Sequence, residues 1–176
     1  MGAADGAIVR AVLAGQEDLF GVLVERCRSE FGRYAVAMLG DSDAAADAMQ
    51  EACIKAWRSL ADCREPDRFR AWYYRILANQ CRTMLARRRP QTDLEEVEVA
   101  AKERPDRDLD RQELATALAA ALEQLTAEQR EAFVLKHVDG RSYEEMESLL
   151  GVGTDALKMR VHRARDTLRT LMGETQ

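Results

Sequence analysis

The sequence predicts an all-α fold, with two small helical domains joined by an acidic flexible linker and a helix-turn-helix in the C-terminal domain. Residues that favour helices dominate the 176-residue chain, which has only 10 Gly and 3 Pro. Apolar residues recur at helical spacing on both sides of a stretch rich in acidic residues. Near the C-terminus, a short glycine-containing turn separates two segments that begin with helix-capping residues.

Three helices are predicted in the first 60 residues. Residues 7–39 have the pattern of a short helix and a longer one, with Gly15 and Gly40 as their breaks. Asp41 and the two residues after it offer N-cap oxygens to a third helix that runs to about Leu60. The outer face of this third helix is predicted to carry Asp47, Gln50, Glu51 and Lys55, and its inner face Ala48, Ala52, Ile54, Ala56 and Trp57.

A fourth, long helix is predicted from Asp67 to about Arg88. Its core spacing is given by Phe69, Tyr73, Ile76, Leu77, Met84 and Leu85. The stretch from Pro90 to Glu113 has nine acidic and four basic residues and few large apolar ones, which predicts a solvated linker. The expected division is a first domain at 1–90, a linker at 91–110 and a second domain at 111–176.

Two capping boxes and a glycine turn define the C-terminal domain. The boxes are Thr126 with Gln129 and Ser142 with Glu145. The second box starts a short helix, and the turn at 151–153 follows it. Thr154 is expected to cap the final helix. A helix, a short turn and a second helix in this order are typical of DNA-binding domains.

The net charge of −5 alone argues against a nucleic-acid partner, but the basic residues are clustered. Residues 64–89 contain eight Arg and two acidic residues, and residues 154–169 contain five basic and two acidic residues. These two basic clusters lie in an otherwise acidic chain. They are therefore the candidate contacts for nucleic acid.

The final helix has the pattern of a recognition helix. Its inner stripe is Leu157, Val161, Ala164 and Leu168, and the opposite side carries Lys158, His162, Arg165 and Arg169, with Arg160 and Arg163 at the edges. Such a helix fits the major groove, where Arg and Lys contact phosphates or guanine edges. The alternative is a basic face that only contacts solvent, and the preceding capped helix and turn argue against it.

The first basic cluster interleaves Arg with aromatic residues, a mixture suited to single strands whose bases stack on rings. Trp72, Arg75, Asn79 and Arg82 share one helix face at steps of three and four. Phe69 and Tyr73 fit core positions better than contact positions. Asn79 is unfavourable in the middle of a helix, and a functional contact would explain it.

Taken together, these motifs resemble the bacterial extracytoplasmic-function sigma factors of RNA polymerase. Residues 47–57 (DAMQEACIKAW) and 69–79 (FRAWYYRILAN) resemble the second conserved region of that family. Similarity to the fourth conserved region is found in 125–133 (LTAEQREAF), 142–145 (SYEE) and 158–165 (KMRVHRAR). The order of the motifs and the acidic linker between them also agree with the family.

The resemblance implies a role for each surface in binding core polymerase and promoter DNA. The implied contacts to core RNA polymerase are Asp47, Gln50, Glu51, Lys55 and Trp57. The implied minus-10 contacts are Arg64, Arg68, Phe69, Trp72, Arg75, Asn79 and Arg82. The implied minus-35 contacts are Thr154, Lys158, Met159, Arg160, His162, Arg163 and Arg165.

The resemblance also implies partners, although the chain departs from the family pattern at several positions. The expected partners are the clamp helices and flap of core polymerase, double- and single-stranded promoter DNA, and an anti-sigma factor. Family members usually carry acidic residues where this chain has Ala44–Ala46, and Met159 replaces a small polar residue. The turn at Gly153–Asp155 also differs from the usual one. Core docking is therefore expected to be weaker or differently regulated, and minus-35 specificity cannot be copied from relatives.

Other classes of protein find less support in the sequence. A stand-alone helix-turn-helix regulator leaves the aromatic and basic helix unexplained. No catalytic motif, cofactor site, zinc spacing or membrane span is visible, so a non-enzymatic cytoplasmic protein without cofactors is expected. Reduced, packed thiols are the expected state of Cys27, Cys53, Cys63 and Cys81, with a redox-sensing or metal-binding role as the alternative.

Overall fold

The computed structural model describes residues 2–88 and 117–173, and all of its regular elements are helical. The predicted all-α class is confirmed for this part of the chain. The helices are α1 Gly2–Leu13, α2 Phe20–Leu39, α3 Ser42–Arg58, α4 Phe69–Arg88, α5 117–123, α6 Ala127–Phe133, α7 Tyr143–Leu150 and α8 Thr154–Gly173. The predicted linker at 91–110 lies outside the described residues.

The boundary between α2 and α3 agrees with the sequence prediction. Gly40 ends α2 with a φ of +69°, a left-handed conformation that glycine adopts without steric cost. The Asp41 side chain caps α3 by accepting hydrogen bonds from the backbone N–H groups of Asp43 and Ala44, at 2.8 and 2.9 Å. Ala48, Ala52 and Ala56 are buried, so α3 packs closely on α2 through small side chains.

Helix α4 is buried on more than the one stripe that its sequence predicts. Phe69, Tyr73 and Leu77 are buried as expected, and the short 3₁₀ turn Pro66–Arg68 precedes them. Tyr74, Ala78 and Cys81 are buried as well. The physical reason is that α4 packs against α2 and α3 on one side and against α6 and α7 on the other.

Both predicted capping boxes of the C-terminal domain are present. Thr126 with Gln129 opens α6, and Ser142 with Glu145 opens α7. A π-helical turn, Val134–Val138, extends α6. Gly151 ends α7 at a φ of +70°. In the first turn of α8, the Gly153 carbonyl accepts a hydrogen bond from the backbone N–H of Leu157. The N-cap residue is therefore Gly153, one residue before the predicted Thr154.

The N-terminal and C-terminal helices share one hydrophobic core. Side chains from α2 and α4 and side chains from α6 to α8 belong to the same buried cluster. A smaller second cluster lies within the C-terminal domain and is formed by Ala121, Leu125, Ala164 and Leu168. The two halves are therefore packed together in this structure, which the linker composition did not predict.

Candidate nucleic-acid interface

Helix α8 presents a basic surface above a buried apolar stripe, as predicted. Leu157, Val161, Ala164 and Leu168 are buried. The predicted minus-35 contacts that are exposed are Lys158, Met159, His162, Arg163 and Arg165. Thr154 and Arg160 are half-buried. The helix-turn-helix thus directs one continuous face of α8 to solvent.

Two side chains of this face, Lys158 and His162, pair with acidic neighbours on α8. Lys158 Nζ lies 3.0 Å from Asp155 Oδ1, and this hydrogen bond raises the pKa of the Lys158 ammonium group. His162 Nδ1 lies 2.8 Å from Asp166 Oδ2. These pairs are exposed and contribute little to stability, because water and salt screen them. Lys158 can therefore exchange its carboxylate partner for a phosphate at low cost.

The predicted minus-10 residues of α4 differ in exposure. Arg75 and Asn79 are exposed, and Trp72 and Arg82 are half-buried, so these four share a face as predicted. Phe69 is 0% exposed and packs against Phe20 and Tyr73, so its predicted contact with DNA is corrected to a core position. Arg64 and Arg68 are exposed in the segment before the helix.

The C-terminal domain contacts part of this predicted minus-10 surface. Arg68 Nη2 donates to Ser148 Oγ of α7 at 3.2 Å. Arg82 donates to the Asn79 side chain through Nη2, and its Nη1 lies 2.9 Å from Glu131 Oε2. Three residues of the predicted minus-10 surface, Arg68, Asn79 and Arg82, therefore form side-chain hydrogen bonds within the chain.

Glu131 of α6 is the centre of this contact. Its side chain is fully buried, and Oε1 accepts a hydrogen bond from the Tyr34 hydroxyl at 2.9 Å. Burial raises the pKa of the Glu131 carboxyl above its ordinary value, although Arg82 and Tyr34 act in the opposite direction. The desolvation of this carboxylate is thus only partly offset by its partners.

Two further contacts connect the halves of the molecule. Arg130 is buried and donates to the backbone carbonyl of Met38 at 2.7 Å. Glu30 of α2 pairs with Arg70 of α4 and with Arg141, which precedes α7. The helical pattern placed Tyr34 on the inner stripe of α2 but did not single out Glu30 or Glu131. The only signal of these two residues was a charge on a helix, which ordinarily indicates a solvated position.

The predicted polymerase-docking residues lie on the outer side of α3. Asp47, Gln50, Glu51 and Lys55 are all exposed, as expected. Trp57, predicted on the inner face, is instead 40% exposed, and the centroids of its ring and the Phe20 ring lie 5.1 Å apart in an edge-to-face arrangement. Its position near the end of α3 turns it partly to solvent, so α3 presents a mixed acidic and aromatic surface.

The thiols have the environment of packed cysteines. Cys27, Cys63 and Cys81 are buried, Cys53 is half-buried, and all four are free. Burial raises the pKa of each thiol, to about 12 for Cys81, so they are protonated at neutral pH. Within 2–88 and 117–173, no group of side chains has the make-up of a metal site.

Comparison with known proteins identifies both halves. Residues 23–91 match the family model described as Sigma-70 region 2, and residues 115–168 match Sigma-70, region 4. The chain is 30% identical to the RNA polymerase sigma-H factor of Pseudomonas aeruginosa, with 93% of this chain and 91% of that one covered. The chain belongs to the extracytoplasmic-function group of the sigma-70 family.

Further relatives agree with this assignment. The ECF RNA polymerase sigma-E factor of Escherichia coli is 30% identical over 93% of this chain and 92% of its own. CnrH, solved in complex with the cytosolic domain of CnrY, superposes with a TM-score of 0.70 at 30% identity, covering 98% and 99% of the two chains. The sigma factor RpoE of Bartonella quintana, solved with the anti-sigma factor NepR, superposes with a TM-score of 0.56 at 25% identity. The superposition covers 89% of this chain and 96% of that one.

Sigma-70 region 2 spans α2 to α4 of this sigma factor, and region 4 includes α6 to most of α8. The protein therefore binds core RNA polymerase and directs it to promoters, and family members do so in the cytoplasm by binding rather than catalysis. Helix α1 precedes both family matches. In the described part of the chain, none of the helices has the length and apolar character to cross a bilayer.

Proposed function

We propose that region 2 of this sigma factor recognises the minus-10 element through α4 and the segment before it, that α8 reads the minus-35 element, and that the outer face of α3 docks on the polymerase clamp helices. The single observation that supports this most strongly is the exposed basic face of α8 above a fully buried stripe. A helix with that face, preceded by the turn at Gly151, fits a major groove.

Melting of the minus-10 element then follows from binding alone. Exposed Asn79 and Arg75, with Trp72 beside them, offer an amide, a guanidinium group and a ring to unpaired bases. Contacts to extruded bases offset the few kcal/mol that unstacking costs per base, by analogy with base flipping. On this proposal the protein is not an enzyme and needs no cofactor.

The wider organisation is part of the same proposal. Residues 1–90 form the region 2 domain, 111–176 form the region 4 domain, and the acidic linker at 91–110 threads the polymerase channel. The protein acts in the cytoplasm, and region 4 also contacts the polymerase flap. An anti-sigma factor regulates it; this is supported by the similarity to the RpoE sigma factor solved with NepR.

Run-off transcription tests the proposal. Core RNA polymerase is supplied with a promoter pool, with and without this protein, and the transcripts are sequenced. Discrete new start sites that share two upstream elements are expected. The double variant Lys158→Ala, Arg163→Ala should lose starts that depend on the upstream element, whereas Arg169→Ala, at the far end of α8, should retain them.

Other outcomes would favour a different function. Stable binding to core polymerase without new starts would indicate a polymerase-binding regulator. Tight sequence-specific binding of the isolated protein to duplex DNA at physiological salt would favour the stand-alone helix-turn-helix regulator. We expect weak binding instead, because the net charge of −5 repels DNA and about six phosphate contacts lose roughly a thousandfold in affinity between 50 and 200 mM salt.

A further inference from the structure

Met159 is a large apolar side chain on the charged outer face of α8. It is 53% exposed, and its neighbours one turn away on that face are Asp155, His162 and Arg163, which are exposed as well. Single exposed apolar residues are ordinary on protein surfaces and carry no argument by themselves. The position of Met159 is different, because this face of α8 is the one proposed above to enter the major groove.

The place of Met159 along the helix brings it close to base edges. Helix α8 begins at Thr154, so Met159 lies in its second turn. In helix-turn-helix domains, residues near the start of the second helix contact the edges of bases. The inner side of the same turn is taken by buried Leu157 and Val161. Met159 therefore lies on the side of α8 that faces away from the core of region 4.

The chemistry of the thioether limits what this side chain can recognise. Methionine has no hydrogen-bond donor, and its sulfur is only a weak acceptor. In the major groove, guanine, cytosine and adenine present hydrogen-bonding groups, whereas thymine also presents its C5 methyl group. An apolar side chain pressed against a polar base edge leaves donors or acceptors unpaired, which costs free energy. Contact with the thymine methyl group instead removes apolar surface from water.

We propose that Met159 selects a thymine in the minus-35 element by packing against its C5 methyl group. The proposal rests on the minus-35 role of α8 given above. Methionine is unbranched and has three rotatable bonds, so its end can adjust to the position of a methyl group in the groove. The thymine can belong to either strand, because the methyl groups of both strands lie in the major groove.

Arg163 is suited to hold the helix in place for this contact. It lies one turn after Met159 on the same face and is exposed. Lys158 and His162 pair with acidic neighbours, whereas Arg163 forms no ion pair in the part of the chain that the structure describes. Its guanidinium group is therefore available to a phosphate. Phosphate contacts fix the register of a helix on the duplex, and base contacts such as that of Met159 supply the specificity.

The test removes the methyl group without changing the base pairing. Holoenzyme is assembled from core RNA polymerase and the full chain, on a promoter identified by the run-off experiment. Each thymine of the upstream element is replaced, one at a time and on either strand, by deoxyuridine, which lacks the C5 methyl group. At one of these thymines, the affinity of the wild-type holoenzyme for the promoter should fall about fourfold, the effect of returning one methyl group to water.

Two variants make the assignment specific to Met159. Met159→Ala removes the apolar end of the side chain, and alanine is favourable at an exposed helix position, so the fold should be unaffected. The Met159→Ala holoenzyme should bind the thymine and deoxyuridine promoters equally. Val138→Ala is the matched control, because Val138 is an apolar residue of region 4 that is 58% exposed and lies outside α8. The Val138→Ala holoenzyme should retain the discrimination of the wild type.

Three results would overturn the inference and leave the minus-35 role of α8 intact. The first is a wild-type holoenzyme that depends on the upstream element but does not distinguish thymine from deoxyuridine at any position. The second is discrimination that persists in Met159→Ala, and the third is an equal loss of discrimination in Val138→Ala. Failure of the proposed function would give a different result: no transcription start would depend on an upstream element, and the inference would fall with it.

Discussion

Single residues decide how closely the helices of region 2 approach each other. Gly6 of α1 is buried against the turn Pro66–Arg68 that leads into α4. A Cβ atom at position 6 would overlap the Asp67 carboxylate and lie 2.9 Å from the Asp67 backbone nitrogen. Helix α1 is also held by an ion pair of 2.6 Å between buried Asp5 and Arg26 of α2. The absent side chain at Gly6 thus lets α1 support the segment before α4.

Replacing Gly6 with Ala should destabilise the protein by about 1–3 kcal/mol, because the backbone of the turn must shift. Urea denaturation followed by circular dichroism measures this free energy of unfolding. Gly21→Ala is the matched control: nothing lies within 4 Å of a Cβ there, and Ala should stabilise α2 by up to about 1 kcal/mol. Destabilisation of equal size in both variants would contradict the close approach at Gly6.

At the scale of elements, the helix-turn-helix depends on how its first helix begins. The Ser142 hydroxyl accepts from the backbone N–H of Glu145 at 3.1 Å, and the Glu145 carboxylate accepts from the backbone N–H of Ser142 at 2.8 Å. Helix α7 has only eight residues, so such end contacts form a large part of its local stability. Met146 on its inner side packs into the core that α8 also contacts.

Ser142→Ala should therefore destabilise the protein by about 1 kcal/mol. Thermal denaturation followed by circular dichroism gives the change. Glu147→Ala, an exposed position on the same helix, should shift stability by less than about 0.5 kcal/mol. If the two substitutions had the same effect, the capping box would not be a determinant of this helix.

At the scale of the whole molecule, the packing of region 4 against α2 and α4 should depend on pH. We call the packed arrangement the closed form and the separated one the open form. Burial raises the pKa of Glu131 from its ordinary 4.5, whereas the carboxyl regains ordinary hydration when region 4 moves away. The closed form therefore binds a proton more readily than the open form. Its stability is greatest below pH 4.5 and falls as the pH rises through the raised pKa. The groups that act on Glu131, or on which it acts, are Tyr34, Tyr74, Cys81, Arg82, Glu128 and Arg160.

The radius of gyration of the wild-type chain should accordingly increase as the pH rises above 4.5 and through the raised pKa of Glu131. Small-angle X-ray scattering measures the change. Glu131→Gln, which is neutral at all pH values, should stay compact and lose most of this dependence, whereas Glu128→Gln should retain it. A wild-type chain that becomes more compact as the pH rises would contradict the assignment to Glu131.

The sequence by itself determined the all-α class, the ends of most helices and the basic face of α8. These features are local: caps, glycine turns and helical periodicity act within a few residues of each other. Thr126, Ser142 and Gly151 could therefore be identified without a structure. The basic and aromatic pattern of α4 likewise identified its candidate minus-10 residues, except that Phe69 is in the core.

Only the tertiary structure decided that region 4 lies against α4. The contacts responsible join residues far apart in sequence: Glu131 with Tyr34 and Arg82, and Glu30 with Arg141. Except for Tyr34, these side chains are charged, so periodicity assigns them to solvent. They are buried or half-buried here because a partner from the other half satisfies them. A pairing of two polar groups leaves no apolar pattern in either helix, and for this reason the sequence did not predict the contact between region 4 and α4.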